Sequence, residues 1–360
     1  MEWNWYWLCS IPGLYRWDIR NLLQFFETPD AVRHASEGEL SGLPFLKEEQ
    51  KEKIICHKRS FSEEEEYHKC RQRGIHFISC EHEEYPSRLL QITDYPYGLF
   101  VKGNLPGDRE RCVAVIGARM CSNYGRSMAR EMAGLLAQNG VSVVSGLACG
   151  IDGAAHAGCL EGGGRSYGIL GSGADICYPR DNFGLYEEMS GGRGGIISEY
   201  PPGAKALPFH FPMRNRIISG LSEIVVIVEA KKKSGSLITA DLALEQGREI
   251  FAFPGRVGDA LSEGCNRLIG QGAGIISDIS DFLIENGILD KKVKKKRNCN
   301  IVLATAENMV YSCVDSQTRS LQSILEQVTL PVNQVMGALT GLQMKGLISE
   351  TAKNYYTRNG

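Results

Sequence analysis

The residues best suited to chemistry in this chain are cations set among glycines. They fall in Gly117-Ala118-Arg119, in Ser145 to Asp152 (SGLACGID), in Gly171-Ser172-Gly173 running on to Tyr178-Pro179-Arg180, in Pro208 to Arg216 (PFHFPMRNR), and in Lys231 to Ser236 (KKKSGS). Glycine turns ahead of helices leave backbone N–H groups pointing outward, an arrangement that holds anions. Arg119, Arg180, Arg214, Arg216 and the three lysines add side-chain charge to those amides. Several cations in succession suit a polyphosphate chain better than one small phosphate. Tyr124, Tyr178, Phe209 and Phe211 lie among them, and a groove of arginine and aromatic side chains holds a single strand without reading its sequence.

Other chemistries find less support. Gly117-Ala118-Arg119 follows a strand, as a dinucleotide fingerprint does, but puts an arginine where G-x-G-x-x-G needs a small residue. No nicotinamide or other cofactor is therefore expected. The chain has no G-x-x-x-x-G-K-[ST], H-E-x-x-H or G-x-S-x-G. The best enzymatic alternative is a nucleotide hydrolase of the phosphoribohydrolase type, built from Asp152 and His156 on one helix with Glu199 or Glu229 at strand ends, together with Arg119. Against it, Asp152 is well placed to cap that helix, a purely structural task. Cys56, His57, His68, Cys70, His76, Cys80 and His82 match no standard zinc spacing.

The elements that must position these loops are legible from Cys112 onward. Strand-like CVAVIG, VSVVSG, RSYGILG, GGIISEY, EIVVIVEA, REIFAFPG and AGIISD are interleaved with helical stretches such as GRSMAREMAGLLAQNG. Such alternation predicts an α/β fold, an extended Rossmann-like, doubly wound and mostly parallel sheet. In such a sheet, ligands bind beyond the carboxyl ends of the strands, where the loops above fall. EIVVIVEA, apolar almost throughout, reads as a central strand covered on both faces.

Residues 1–65 read as a small helical domain, 66–290 as the core, 291–298 (with KKVKKKR) as a basic linker, and 299–360 as a winged-helix-like domain of helices followed by a hairpin. The helix opened by Pro331, Val332 to Met344, carries no lysine or arginine and is poorly equipped to read duplex DNA. Forty basic against 42 acidic residues, a net charge of −2, exclude a globally basic nucleic-acid binder and confine any such contact to a local patch. Twelve cysteines without C-x-x-C pairs suggest reduced thiols in the cytoplasm. The aromatic start MEWNWYWLCSIPG lacks a basic n-region, and neither a signal peptide nor a membrane span is expected.

GAR with SNYG, SGLACGIDGAAH, GSGADICYPRDN, SEYPPG, FPMRNRIISGLS, SGSLITADLALEQGREIFAFPG and GCNRLIGQGA, in this order, resemble DNA-processing protein A, the DprA/Smf family. The resemblance covers about residues 66–285, with the C-terminal domain similar to the family's winged-helix-like domain and residues 1–65 to its SAM-like or helix-hairpin-helix region. It implies a homodimer that binds single-stranded DNA and helps load RecA recombinase in natural transformation; with no catalytic constellation favoured, binding without turnover is expected. It also implies that Arg119, Arg180 and the segment Phe211 to Arg216 line the strand-binding pocket. Ala118 stands where many relatives carry serine, which removes one hydroxyl contact to phosphate. The contacts expected are thus Gly117, Ala118, Arg119, Gly146, Gly171, Arg180, Phe211, Arg214, Asn215, Arg216, Lys233, Ser234 and Gly235.

Overall fold

The computed structural model describes residues 2–290, 304–315 and 318–358. The expected linker 291–298 lies outside the described residues, as does the start of the 299–360 domain. Six helices lead the chain: α1 (Trp3–Ser10), α2 (Arg16–Phe26), α3 (Pro29–His34), α4 (Glu37–Ser41), α5 (Glu48–Ser60) and α6 (Glu63–Arg73). Then come β1 (Ile75–Ser79), α7 (Ser87–Leu90), β2 (Gly98–Gly103), β3 (Cys112–Ile116), α8 (Asn123–Gln138), β4 (Ser142–Ser145), α9 (Ile151–Glu161) and β5 (Ser166–Leu170). A 3-10 turn (Arg180–Asn182) precedes α10 (Phe183–Ser190), β6 (Gly194–Ser198), α11 (His210–Gly220), β7 (Ile224–Ile227), α12 (Gly235–Glu245), β8 (Glu249–Ala252), α13 (Glu263–Gly270), β9 (Gly274–Ile275) and α14 (Ile279–Glu285). The C-terminal part holds α15 (Thr305–Cys313), β10 (Arg319–Ser320), α16 (Leu321–Gln327), α17 (Val332–Met344), β11 (Ile348–Ala352) and β12 (Tyr355–Arg358).

The main sheet has nine strands in the order β1-β2-β6-β5-β4-β3-β7-β8-β9. From β6 to β9 all neighbours are parallel, and β1 and β2 add an antiparallel edge. That edge was not among the expected strands. β3 and β7 are buried along their whole length, as β-branched apolar runs covered on both faces must be. The chain winds from β3 outward through β4, β5 and β6, then returns to β3's other side and winds outward again through β7, β8 and β9. β3 and β7 therefore flank the topological switch point, where the loops after neighbouring strands diverge and leave a crevice.

Two compact units result, one of Met1–Cys121 with Ala129–Ile288, the other of Ser122–Met128 with Leu289–Gly360. The expected boundary at residue 65 falls inside α6, and no separate unit ends there. One apolar cluster explains why. It begins with Trp5, Tyr6, Trp7 and Leu8 of α1 and continues through Phe77 and Phe100 of the sheet to Leu170 and Ile196. The Tyr6 ring lies 5.4 Å from Phe77 and 5.6 Å from Phe100. In the second unit α15, α16 and α17 close over Val310, Ile324, Val335, Leu339 and Leu342. The expected hairpin, β11 with β12, is widened by β10 into a three-stranded sheet. Among the described residues, no helix is long and apolar enough to cross a membrane.

Candidate nucleic-acid interface

The crevice at the switch point is a cavity of about 560 Å³. Gly117, Ala118, Arg119 and Met120 wall it from the end of β3, and Lys231, Lys233, Ser234 and Gly235 from the end of β7. Phe211, Arg214 and Asn215 of α11 form its floor, with Ala148 and Asp152 from the β4–α9 turn and Tyr178 at the side. The two loops, more than a hundred residues apart in sequence but set at the ends of adjacent strands, thus face one another across a space of ligand size.

Close backbone approach holds the wall together. Gly150 has φ +80° and sits so tightly that a Cβ there would overlap the carbonyl oxygens of Ala118 and Arg119. The Ile151 N–H donates to the Ala118 carbonyl at 3.2 Å, which fixes the course of the loop that carries Arg119. Gly150, not Asp152, is the cap residue of α9. Asp152 instead accepts the Gly146 N–H through Oδ2 at 3.1 Å. At Gly146 an added Cβ would overlap the Arg214 guanidinium, so this glycine makes room for that side chain.

Arg214 is 5 % exposed, and its Nη1 donates to the carbonyls of Gly146, at 2.7 Å, and Ile169. Burial pulls its pKa down to about 10, opposed by the Asp152 carboxylate and reinforced by the like charge of Arg119, so the guanidinium stays charged at neutral pH. Burial raises the Asp152 pKa, against the pull of Arg214 and of the Ala148 and Gly146 amides. This buried pair partly offsets itself. Arg119, Lys231 and Lys233, all exposed, set the sign of the cavity as positive. The Arg119 guanidinium lies 5.0 Å from the centre of the Phe211 ring, with Arg214 at 5.9 Å and the Tyr178 ring at 5.7 Å. A cation over an aromatic face is worth about 0.5–1 kcal/mol at an exposed site, enough to bias Arg119 toward the cavity. On the opposite wall Ser234 caps α12 by accepting the Ser236 N–H, a contact typically worth about 1 kcal/mol.

Of the thirteen expected contact residues, nine line this cavity: Gly117, Ala118, Arg119, Phe211, Arg214, Asn215, Lys233, Ser234 and Gly235. Gly146 and Gly171 lie behind it. The Gly171 carbonyl is within 2.9 Å of His210 Nδ1, which anchors the start of α11. Arg180 is exposed on its 3-10 turn and does not line the cavity. Arg216 points away altogether. It is 4 % exposed, pairs with Glu199 at 2.6 Å and donates to the carbonyls of Asp94 and Met213, so its charge and donors are spent inside the fold. The aromatic candidates divide as well: Phe211 and Tyr178 line the cavity, Phe209 does not, and Tyr124 belongs to the other unit. Ser236, within the Lys231 to Ser236 loop, and Thr239 also line it, though neither was among the expected contacts; both are largely buried and lie three positions apart on one face of α12.

The hydrolase constellation is dispersed. His156 is fully buried with Nδ1 2.7 Å from Ser166 Oγ, and Glu199 is held by Arg216. Of the residues in that alternative Asp152 and Arg119 reach the cavity, but His156, Glu199 and Glu229 do not line it. The cysteines and histidines considered for zinc have partners of their own in part, such as Tyr6 for Cys70 and Ser10 for His57. Among the described residues no three His, Cys, Asp or Glu are grouped to hold a metal ion.

The family described as DNA recombination-mediator protein A matches residues 76–287. The DNA processing protein DprA of Streptococcus pneumoniae is 46% identical over 202 residues, 56% of this chain and 71% of that protein. Protein Smf of Escherichia coli is 37% identical over 292 residues, 79% of this chain and 78% of its own length. Among solved structures, that of the Streptococcus pneumoniae protein aligns with a TM-score of 0.65 and 36% identity, over 78% of this chain and 97% of the other. The Helicobacter pylori DNA processing protein A, whose structure describes a single-stranded DNA binding mode, aligns with a TM-score of 0.53 and 29% identity, over 59% of this chain and 95% of the other. The matched span takes in β1 to α14 and every wall of the cavity, and on that extent of agreement the chain belongs to the DNA recombination-mediator protein A family.

Proposed function

We propose that this chain is a single-stranded DNA-binding mediator of recombination that grips the strand in the cavity between the β3 and β7 loops. The observation that carries the proposal is the facing of Arg119, laid over Phe211, by Lys231, Lys233 and the start of α12 across that cavity. Phosphate oxygens meet the cations and the amides of α12, and a base meets Phe211 or Tyr178. Only an unpaired base can leave its stack to reach a recessed ring. The single-stranded DNA bound by the Helicobacter pylori relative supports the same ligand here. In this role the protein works in the cytoplasm by binding and not by turnover. It protects incoming strands and helps load RecA in transformation, as a homodimer, on the strength of the family resemblance. The second unit, with its uncharged α17, serves as an accessory or partner-binding element.

A labelled oligothymidine and a duplex of equal length, titrated at two salt concentrations, test this reading. The single strand binds at least tenfold tighter, with an affinity that falls as salt rises. Equal or tighter binding of the duplex at both salts contradicts it.

A further inference from the structure

Phe209 and the N-terminal helices form a second aromatic surface beside the cavity. Pro208 lines the cavity and Phe211 lies within it, while Phe209, between them, turns outward and stays 46 % exposed. Its ring stands 5.5 Å from Tyr15, just ahead of α2, and Tyr15 stacks on Trp17 at 5.1 Å with 30° between the planes. Trp17 is 43 % exposed, whereas Trp5, Tyr6 and Trp7 of α1 are buried in the N-terminal core. A tryptophan left half in water, ahead of a helix turn bearing exposed Arg20, is not needed for that core. On α2, Trp17, Arg20, Asn21 and Gln24 share one face by their spacing, and none is acidic. The ledge therefore offers flat rings, a cation and amide side chains, the set that suits unpaired bases on a phosphate chain.

We infer that the ledge Phe209–Tyr15–Trp17 is a second stacking subsite, over which a single strand leaving the cavity lays its next bases. The inference rests on the cavity's being the strand-binding site and extends that site onto the N-terminal helices. It also gives those helices, fused to the sheet through one core, a task in binding. A strand short enough to fill the cavity alone does not reach the ledge; a longer one does.

The test compares oligothymidines of about 6 and about 20 nucleotides on the full chain, with Trp17→Ala, Phe209→Ala and Arg119→Ala. Both ledge residues are half exposed, so the fold tolerates their removal, and circular dichroism with thermal melting confirms it. Each ledge variant weakens the long strand about tenfold, the scale of one lost base stack, and leaves the short strand unchanged. Arg119→Ala weakens both. Trp17 is also the exposed one of the four tryptophans, so the long strand quenches intrinsic fluorescence and the quench disappears in Trp17→Phe. If Arg119→Ala weakens both strands while the ledge variants bind and quench as the unaltered protein does, the ledge is overturned and the cavity stands. If Arg119→Ala weakens neither, the cavity reading itself has failed.

Discussion

Replacing Arg119 and Lys233 together by alanine weakens oligothymidine binding by at least about 100-fold at low salt, each charged contact being worth about 1.5–3 kcal/mol when made in a partly dehydrated site. The two residues stand on opposite walls of the cavity, at the ends of β3 and β7. Neither holds the fold together, since both are exposed. Each phosphate contact to a single strand contributes a slope of about −0.7 in log affinity against log salt, so the double variant also flattens that dependence by about 1.4. Arg180→Ala, outside the cavity, changes both quantities far less. Fluorescence anisotropy over a range of salt concentrations measures affinity and slope together. Unchanged values in the double variant place the strand elsewhere.

A second large effect concerns acid. His156 is fully buried on α9, and burial, aided by the charge of Arg214, lowers its pKa to about 3 from a usual value near 6.5. Between those pH values the unfolded chain binds a proton at this position and the folded chain does not. Its stabilising contribution is therefore complete above about pH 6.5 and is lost progressively as the pH falls toward 3, on the order of 5 kcal/mol in all. From pH 7 to pH 5 the loss is about 2 kcal/mol. His156→Gln keeps a polar group near Ser166 Oγ but cannot titrate, so its urea-unfolding free energy falls by about 2 kcal/mol less over that interval. Parallel pH profiles for the two proteins would show that His156 takes up its proton equally in both states.

The parallel sheet was legible because its strands are continuous apolar runs at regular spacing, of which Ile224–Ile227 and Cys112–Ile116 are the clearest. Gly117-Ala118-Arg119 and Lys233-Ser234-Gly235 were likewise legible, since the first follows its apolar run directly and the second ends the lysine run beyond β7. β1 and β2 escaped notice because the strand IHFIS lies behind a charged helix and GLFVKG among prolines and glycines, with no alternation to mark them. Arg214 and Arg216 illustrate a harder limit. They are two positions apart on α11, about 200° around a helix; both are buried, but Arg214 lines the cavity from within its floor while Arg216 is turned away and paired with Glu199. An arginine-rich segment reveals charge, but only the placement of the helix reveals which side chains remain available. The joining of residues 1–65 to the core was hidden for a related reason. Residues 1–65 read as a helical domain of their own, and nothing local in Trp5, Tyr6 and Trp7 says that Phe77 and Phe100 of the sheet share their core.

Amide hydrogen exchange on the full chain, with and without saturating oligothymidine, asks most directly where the strand lies. Slowed exchange concentrated in residues 117–120 and 231–239, the two loops facing across the β3–β7 crevice, is the expected result. Protection confined to residues 305–358, with both loops exchanging as in the free protein, would contradict it.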